Sequence, residues 1–301
     1  MRWFGRTRRP AVVTYQDPVD RRFRFFGSRR HLAGLPYDLP KDDQEISRLD
    51  FQHYMLRYAF KGNYLAPLVN PRDILDVGCG SGRWPLEMAL VFPNANVVGL
   101  DVVPPPADAS PAVDTRPPNY VFVPGNVLEG LPFGDASFDF VHQRLLIAAL
   151  PADQWPRVVQ ELRRVARTGG WVELAEGHIR VDGGGRALKA LGDWAYALMG
   201  RRGIDAGIFQ KLGPLLGGAG LVNVQQHIIR LPVGRKFGRL GYLMEANHFA
   251  LYEGFKGPIL ASGLATPETY ARTVQEAGEE IARGKCSAMF CAAYGQRPMD
   301  M

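Results

Sequence analysis

The 301-residue sequence predicts an α/β fold built on a mostly parallel, seven-stranded sheet with helices on both faces, extended by an N-terminal helix and a C-terminal helical lid. Three observations carry that expectation. From Arg72 to Gly177, short apolar runs alternate with amphipathic segments, the pattern of parallel strands joined by crossover helices. The first run, Ile74 to Val77, opens directly into Gly78, Gly80 and Gly82. The next run ends in Asp101, which places an acidic group one strand along from the glycine turn, the Rossmann-like arrangement for holding a ribose.

Taken in order, residues 1–43 are rich in Arg, Pro and Gly with little periodicity, and read as an extended basic arm able to lie over the main domain. Residues 1–30 hold nine arginines against Asp17 and Asp20, so this arm accounts for the chain's net charge of +6. A charge confined to one arm leaves the domain near neutral, and nucleic acid is not the expected partner. Helical spacing begins near Gln44, where Ile46, Leu49, Tyr54, Leu56 and Phe60 form an apolar stripe that the Gly62-Asn63 pair ends.

The strands then read DILDV, NVVGLD, NYVFVPG, SFDFVHQR and GGWVELAEG. Between the last two, Trp155, Val158, Val159, Leu162 and Val165 recur at helical spacing, with Thr168-Gly169-Gly170 as the expected stop. After a break at Gly183 to Gly185 come helices around Leu188–Met199 and Ile208–Leu216, a long strand in LVNVQQHIIRLPVG, and a last strand, SAMFCAAYGQR. Residues 235–285, between those two strands, read as two or three helices; a connection that long exceeds what a hairpin needs and reads as a lid. The expected organisation is therefore an arm at 1–43, one domain at 44–234 with 286–301, and a lid at 235–285. The proline-rich stretch PPPADASPAVDTRPP falls in a loop.

Composition narrows the class further. No window holds the roughly 18 to 20 apolar residues of a membrane span, and MRWFGRTRRP lacks the apolar stretch of a secretory signal, so a cytoplasmic protein with no membrane partner is expected. Cys79, Cys286 and Cys291 are too few and wrongly spaced for a disulfide framework or a zinc site, and read as reduced thiols.

The motif richest in chemistry is ILDVGCGSGRW. Backbone without side chains lets a ligand approach closely at such a turn, and the following helix N-terminus favours a negative group. Arg83 stands where a dinucleotide fingerprint has its third glycine, which argues against a nicotinamide cofactor. Cys79, between two glycines, belongs to the turn through its backbone and carries no chemistry of its own.

This constellation resembles the class I S-adenosylmethionine (SAM)-dependent methyltransferases. The resemblance implies that Gly78, Cys79, Gly80 and Gly82 cradle the methionine part of SAM. It places Asp76 in ordering the loop or beside the SAM ammonium, and Asp101, with Val102 next to it, on the ribose. The adenine position falls on Asn126, where the family more often has Asp, with Val127 and Leu128 beside the ring. A finer resemblance is to the group typified by the fungal regulator LaeA. It rests on RLDFQHYMLRYAFKGNYLAPL, SFDFVHQR, GGWVELAE and LGYLMEANHFALYEGF, and runs from roughly Leu35 to Pro298.

Further candidates follow from position. His142, Gln143 and Arg144 end the fourth strand, at the carboxyl edge where ligands bind; alternation puts His142 and Arg144 on one side and Gln143 on the other. On the first helix, His53 and Tyr54 stand to close over SAM and Arg57 to meet its carboxylate. Glu176, His178 and, on the lid helix, Glu245, Asn247 and His248 complete the set, with His142, His178 and His248 the candidate bases. The expected activity is methyl transfer to oxygen or nitrogen of a small organic molecule, in specialised metabolism. A protein or RNA methyltransferase and a SAM-binding regulator without transfer are the alternatives, and a homodimer is left open.

Overall fold

The computed structural model describes residues 23–105 and 116–299. Residues 1–22 of the basic arm and 106–115 of the proline-rich stretch lie outside them. The described part of the arm is not a loose tail. It forms an antiparallel hairpin of β1 (Phe23–Phe26) and β2 (Arg29–Leu32), and its arginines are spent on structure. Arg24 donates to Asp38 at 2.8 Å, and Arg29 grips Asp42 through two nitrogens at 2.6 and 3.0 Å. Asp42 in turn accepts the Glu45 N–H at 3.0 Å and caps α1 (Asp43–Phe60). That helix ends at Lys61, left-handed at φ 58°, whose N–H bonds the Arg57 carbonyl, so the stop comes just before the Gly62-Asn63 pair.

One sheet of seven strands organises the rest: β3 (Asp73–Val77), β4 (Asn96–Asp101), β5 (Tyr120–Pro124), β6 (Phe138–Arg144), β7 (Ala166–Gly177), β8 (Val222–Val233) and β9 (Cys286–Gln296). Their order is β5-β4-β3-β6-β7-β9-β8, and only β9 runs against its neighbours. The chain moves outward from β3 to β5, then returns across β3 to place β6 on the other side. That reversal leaves a crevice at the carboxyl ends of β3 and β6.

Strand alternation builds a core on each face. Leu75 and Val77 of β3 join Val141, Leu174 and the stripe Trp155, Val158, Val159 and Leu162 of α3 (Trp155–Val165). Ile74 and Phe140 face the other way, onto Trp84 and Met88 of α2 (Arg83–Val91). A third core unites α4 (Arg186–Gly200), α6 (Gly238–Ala261) and α7 (Pro267–Arg283) around Leu191, Tyr252, Phe255 and Ile281, while the short α5 (Leu212–Gly218) backs the sheet.

Two sequence expectations need correction. Thr168-Gly169-Gly170 does not stop α3, which ends at Val165; all three residues lie inside β7, where Gly169 is left-handed at φ 75° beside a register shift. A Cβ on Gly170 would sit 2.9 Å from the Arg167 carbonyl oxygen and 3.0 Å from that of Asp139, so glycine is required there for close backbone approach. The lid segment is helical as expected, but α6 packs on α1, α4 and β8 and α7 on α4, away from the glycine turn. Among the described residues no helix is long and apolar enough to cross a membrane.

Candidate active site

The principal cavity opens at the carboxyl ends of β3, β4 and β6 and encloses about 1130 Å³, its open mouth included. Its floor is the glycine turn. Gly78, Gly80 and Gly82 are left-handed at φ 73°, 57° and 79°, a conformation that turns the chain sharply from β3 into α2, with the Gly78 and Cys79 N–H groups tied to the Leu100 carbonyl and that of Gly80 to Asp101. A Cβ on Gly78 would lie 2.6 Å from the Leu146 side chain, so the loop after β6 is seated directly on the turn. Gly82 N-caps α2 behind the cavity wall, so it shapes the turn without lining the cavity.

Asp101, at the tip of β4, ties this floor to its cover. One carboxylate oxygen accepts the Gly80 N–H at 2.9 Å; the other accepts the Val103 N–H at 3.2 Å and meets the Lys41 ammonium at 3.3 Å. Val102, Asn126, Val127 and Leu128 continue the wall. The Asn126 side-chain oxygen accepts the Leu128 N–H at 3.1 Å and retains a second lone pair. These residues fit SAM: an apolar wall with an amide at the adenine position, a carboxylate at the ribose position, and a tight glycine turn lining the cavity where the methionine chain would lie.

At the end of β6 the alternation acts as the sequence implies. His142 and Arg144 line the cavity, while Gln143 faces the opposite core, fully buried, with neither amide atom hydrogen-bonded, and does not reach the cavity. The His142 Nδ1 lies 2.7 Å from the Asp76 carboxylate, and its ring lies flat on Trp84, centroids 3.8 Å apart and planes 2° apart. Trp84 is itself fixed by donating to the Asn63 carbonyl at 2.7 Å. Burial lowers the His142 pKa and Asp76 works against it, which leaves a neutral ring at neutral pH. The carboxylate only accepts, so Nδ1 carries the proton and Nε2 the lone pair.

Helical spacing in α1 turns Leu49, Gln52 and His53 inward to the cavity and Tyr54 outward, 44% exposed. Arg57 also points out, stacked over Tyr54 and paired with Glu87 at 2.6 Å, so neither Tyr54 nor Arg57 reaches the cavity. His178 and His248 lie elsewhere too. His178 stacks on Phe209 at 4.8 Å, and the buried His248 sits 2.9 Å from the Met244 carbonyl. Neither lines the cavity: His178 directly follows β7 and His248 lies within α6. Glu245 contacts Arg235, and Asn247 is buried within α6.

Glu176 acts indirectly: its two oxygens accept the Leu146 and Ile147 N–H groups at 2.9 and 3.1 Å, pinning the loop that rests on Gly78. Burial pushes its carboxyl up to about 8, against the pull of those two donors. The cover comes from Leu32, Leu35, Pro36, Tyr37 and Lys41, in the arm that the sequence lets lie over the domain but whose contact residues it did not single out, and not from residues 235–285, where the sequence placed the lid. The signal was there in LAGLPYDLP, too apolar for a solvated arm.

A family model described as a methyltransferase domain matches residues 74–170. The chain is 33% identical over 226 residues to the N-methyltransferase sirN of Leptosphaeria maculans, a match covering 70% of this chain and 76% of that one. It is 30% identical over 226 residues to the secondary metabolism regulator LAE1 of Cochliobolus heterostrophus, covering 69% and 68%. The methyltransferase str2 of Strobilurus tenacellus is 37% identical over 166 residues, and there the chain spans little more than half of its relative, 57%, against 52% of its own length. With the sheet order, the glycine turn and Asp101 in place, the chain belongs to the class I SAM-dependent methyltransferase family, in its LaeA-like group.

Proposed function

We propose that this protein transfers the methyl group of SAM to an oxygen or nitrogen atom of a small organic molecule in specialised metabolism. One observation carries the reading: a neutral, oriented histidine, His142, lines the same cavity as the glycine turn and Asp101. When bound, SAM supplies an electrophilic methyl group on a sulfonium. The protein's own part is positional and electrostatic. Gly78, Cys79 and Gly80 would hold the methionine chain through their backbone, Asp101 the ribose hydroxyls, and Val102, Asn126 and Val127 the adenine side. His142 Nε2 takes a proton from an acceptor hydroxyl or ammonium, Asp76 stabilises the imidazolium so formed, and Trp84 keeps the ring in plane. Leu32, Leu35 and Tyr37 exclude water from above. His178 and His248 are not assigned a part in this site.

The test is transfer of isotope-labelled methyl from SAM to a panel of small phenols, alcohols and amines, read by mass spectrometry. Product with wild type and its loss with His142→Gln is expected for hydroxyl acceptors. No product from any small molecule, with transfer to a protein or RNA fraction, would overturn the reading. A regulator that holds SAM without transfer is favoured by the similarity to LAE1, and predicts SAM binding with no methylated product in any fraction.

A further inference from the structure

Among the described residues three cationic side chains, Lys41, Arg83 and Arg144, line the cavity, and two are already satisfied. Lys41 meets Asp101 at 3.3 Å and Arg83 meets Asp50 at 2.7 Å. Arg144 is the exception: among the described residues no carboxylate lies within ion-pair distance of its guanidinium, and its one side-chain partner is the His53 Nδ1, at 3.0 Å. Arginine has five N–H donors and no acceptor, so His53 must accept through Nδ1 and carry its proton on Nε2, which lies 3.1 Å from Glu87. His53 is therefore a positioning residue that aims the guanidinium while most of its donors stay free.

The acidic groups nearest to Arg144 are committed elsewhere. Asp76 holds His142, Glu87 takes Arg57 and Asn63, Glu173 accepts the Leu65 and Ala66 N–H groups, and Glu176 those of Leu146 and Ile147. Arg144 lies deep in the molecule yet keeps accessible surface, because that surface faces the cavity. A guanidinium so placed, with carboxylates around it but none paired to it directly, leaves donors that a ligand from outside can complete. Its planar fork matches a carboxylate.

We propose that Arg144 is the anion receptor of the transfer site and that it takes a ligand carboxylate, on the side of β3 opposite to Asp101. This rests on the cavity being the cofactor and acceptor site. The carboxylate belongs either to the amino-acid end of SAM or to the acceptor, and calorimetry separates the two. In the first arm, wild type, Arg144→Lys and Arg144→Gln are titrated with SAM and with decarboxylated SAM, which lacks only the carboxylate. In the second, the same proteins saturated with S-adenosylhomocysteine are titrated with benzoate and indole-3-acetate against the matching amides. A charge-assisted pair predicts that wild type prefers the acid form by roughly ten- to hundredfold in one arm. Arg144→Gln should narrow that ratio to within about twofold, with Arg144→Lys intermediate.

Melting curves without ligand control for folding, and if the glutamine variant does not fold, the lysine variant alone carries the ratio. Equal ratios in wild type and variants, or no preference in either arm, would overturn the proposal and leave Arg144 as a counter-charge to the surrounding carboxylates. Absence of methyl transfer to any acceptor would not move these ratios, so the two readings fail separately.

Discussion

Glu173 offers a quantitative test of how the strand beneath His142 and Arg144 is built. It lies on β7, in register with His142 on β6, and is 2% exposed. One oxygen, Oε2, accepts both the Leu65 N–H at 2.8 Å and the Ala66 N–H at 2.7 Å. Burial pushes its carboxyl up from 4.5 to about 7, while the two N–H donors and Arg144 pull it back. Between those values the native state keeps a proton that the unfolded chain has lost, so stability is full below the unfolded pKa and falls as pH rises through the folded one. Each pH unit across that window is worth about 1.4 kcal/mol, so the ionised carboxylate costs the native state about 3 kcal/mol by pH 8.

Glu173→Gln removes the titration and keeps the packing, because a single amide oxygen can accept both N–H groups. Urea unfolding followed by tryptophan fluorescence at pH 5, 6, 7 and 8 should show the variant gaining about 2–3 kcal/mol on wild type across the series. Other groups cancel in the difference. Glu87, which burial alone would raise but which His53, Arg57 and Asn63 hold at about 2, is common to both proteins, as is Glu176. Parallel pH profiles, or a variant that loses ground as pH rises, would refute the argument that Glu173 is desolvated beside His142.

Other perturbations follow from the same geometry. Gly78→Ala drives a Cβ to 2.6 Å from Leu146 at a φ of 73°, and should lower SAM affinity at least about tenfold by calorimetry through displacement of the seated loop. His142→Gln should reduce kcat toward a hydroxyl acceptor by roughly 10²- to 10⁴-fold with little change in SAM affinity. In wild type the rate should fall on the acid side, below pH 6.5, because burial lowers the pKa of the neutral ring that accepts the proton; a rate flat in that range would exclude His142 as base. Lys41→Gln breaks the contact between cover and Asp101, and stopped-flow displacement should show faster release of S-adenosylhomocysteine.

The sheet was legible because its signals are local. The run from Ile74 into three glycines, the acid closing β4, and the two-residue period of FVHQR each act through neighbouring residues, and the last predicted that His142 and Arg144 would share a face and Gln143 would not. That the arm lies over the domain was legible but its contact residues were not, because Leu32, Leu35, Tyr37 and Lys41 come from a stretch with little periodicity and are held by long-range ion pairs from Arg24, Arg29 and Arg202. Tyr54 and Arg57 were placed at the site by their nearness to His53 on one helix, whereas the pitch of α1 turns His53 in and both of them out. Gly169 and Gly170 show the same ambiguity: a helix stop and a strand that must approach its neighbour closely both call for glycine.

The central claim is that the carboxyl ends of β3, β4 and β5 form the SAM site with Asp101 as its ribose anchor. The most direct measurement is a calorimetric titration of wild type and Asp101→Ala with SAM and S-adenosylhomocysteine. Micromolar binding by wild type that weakens at least about tenfold in the variant, as expected for loss of hydrogen bonds to a charged group, is the predicted result. Equal affinity in both proteins, or no binding by wild type, would contradict it.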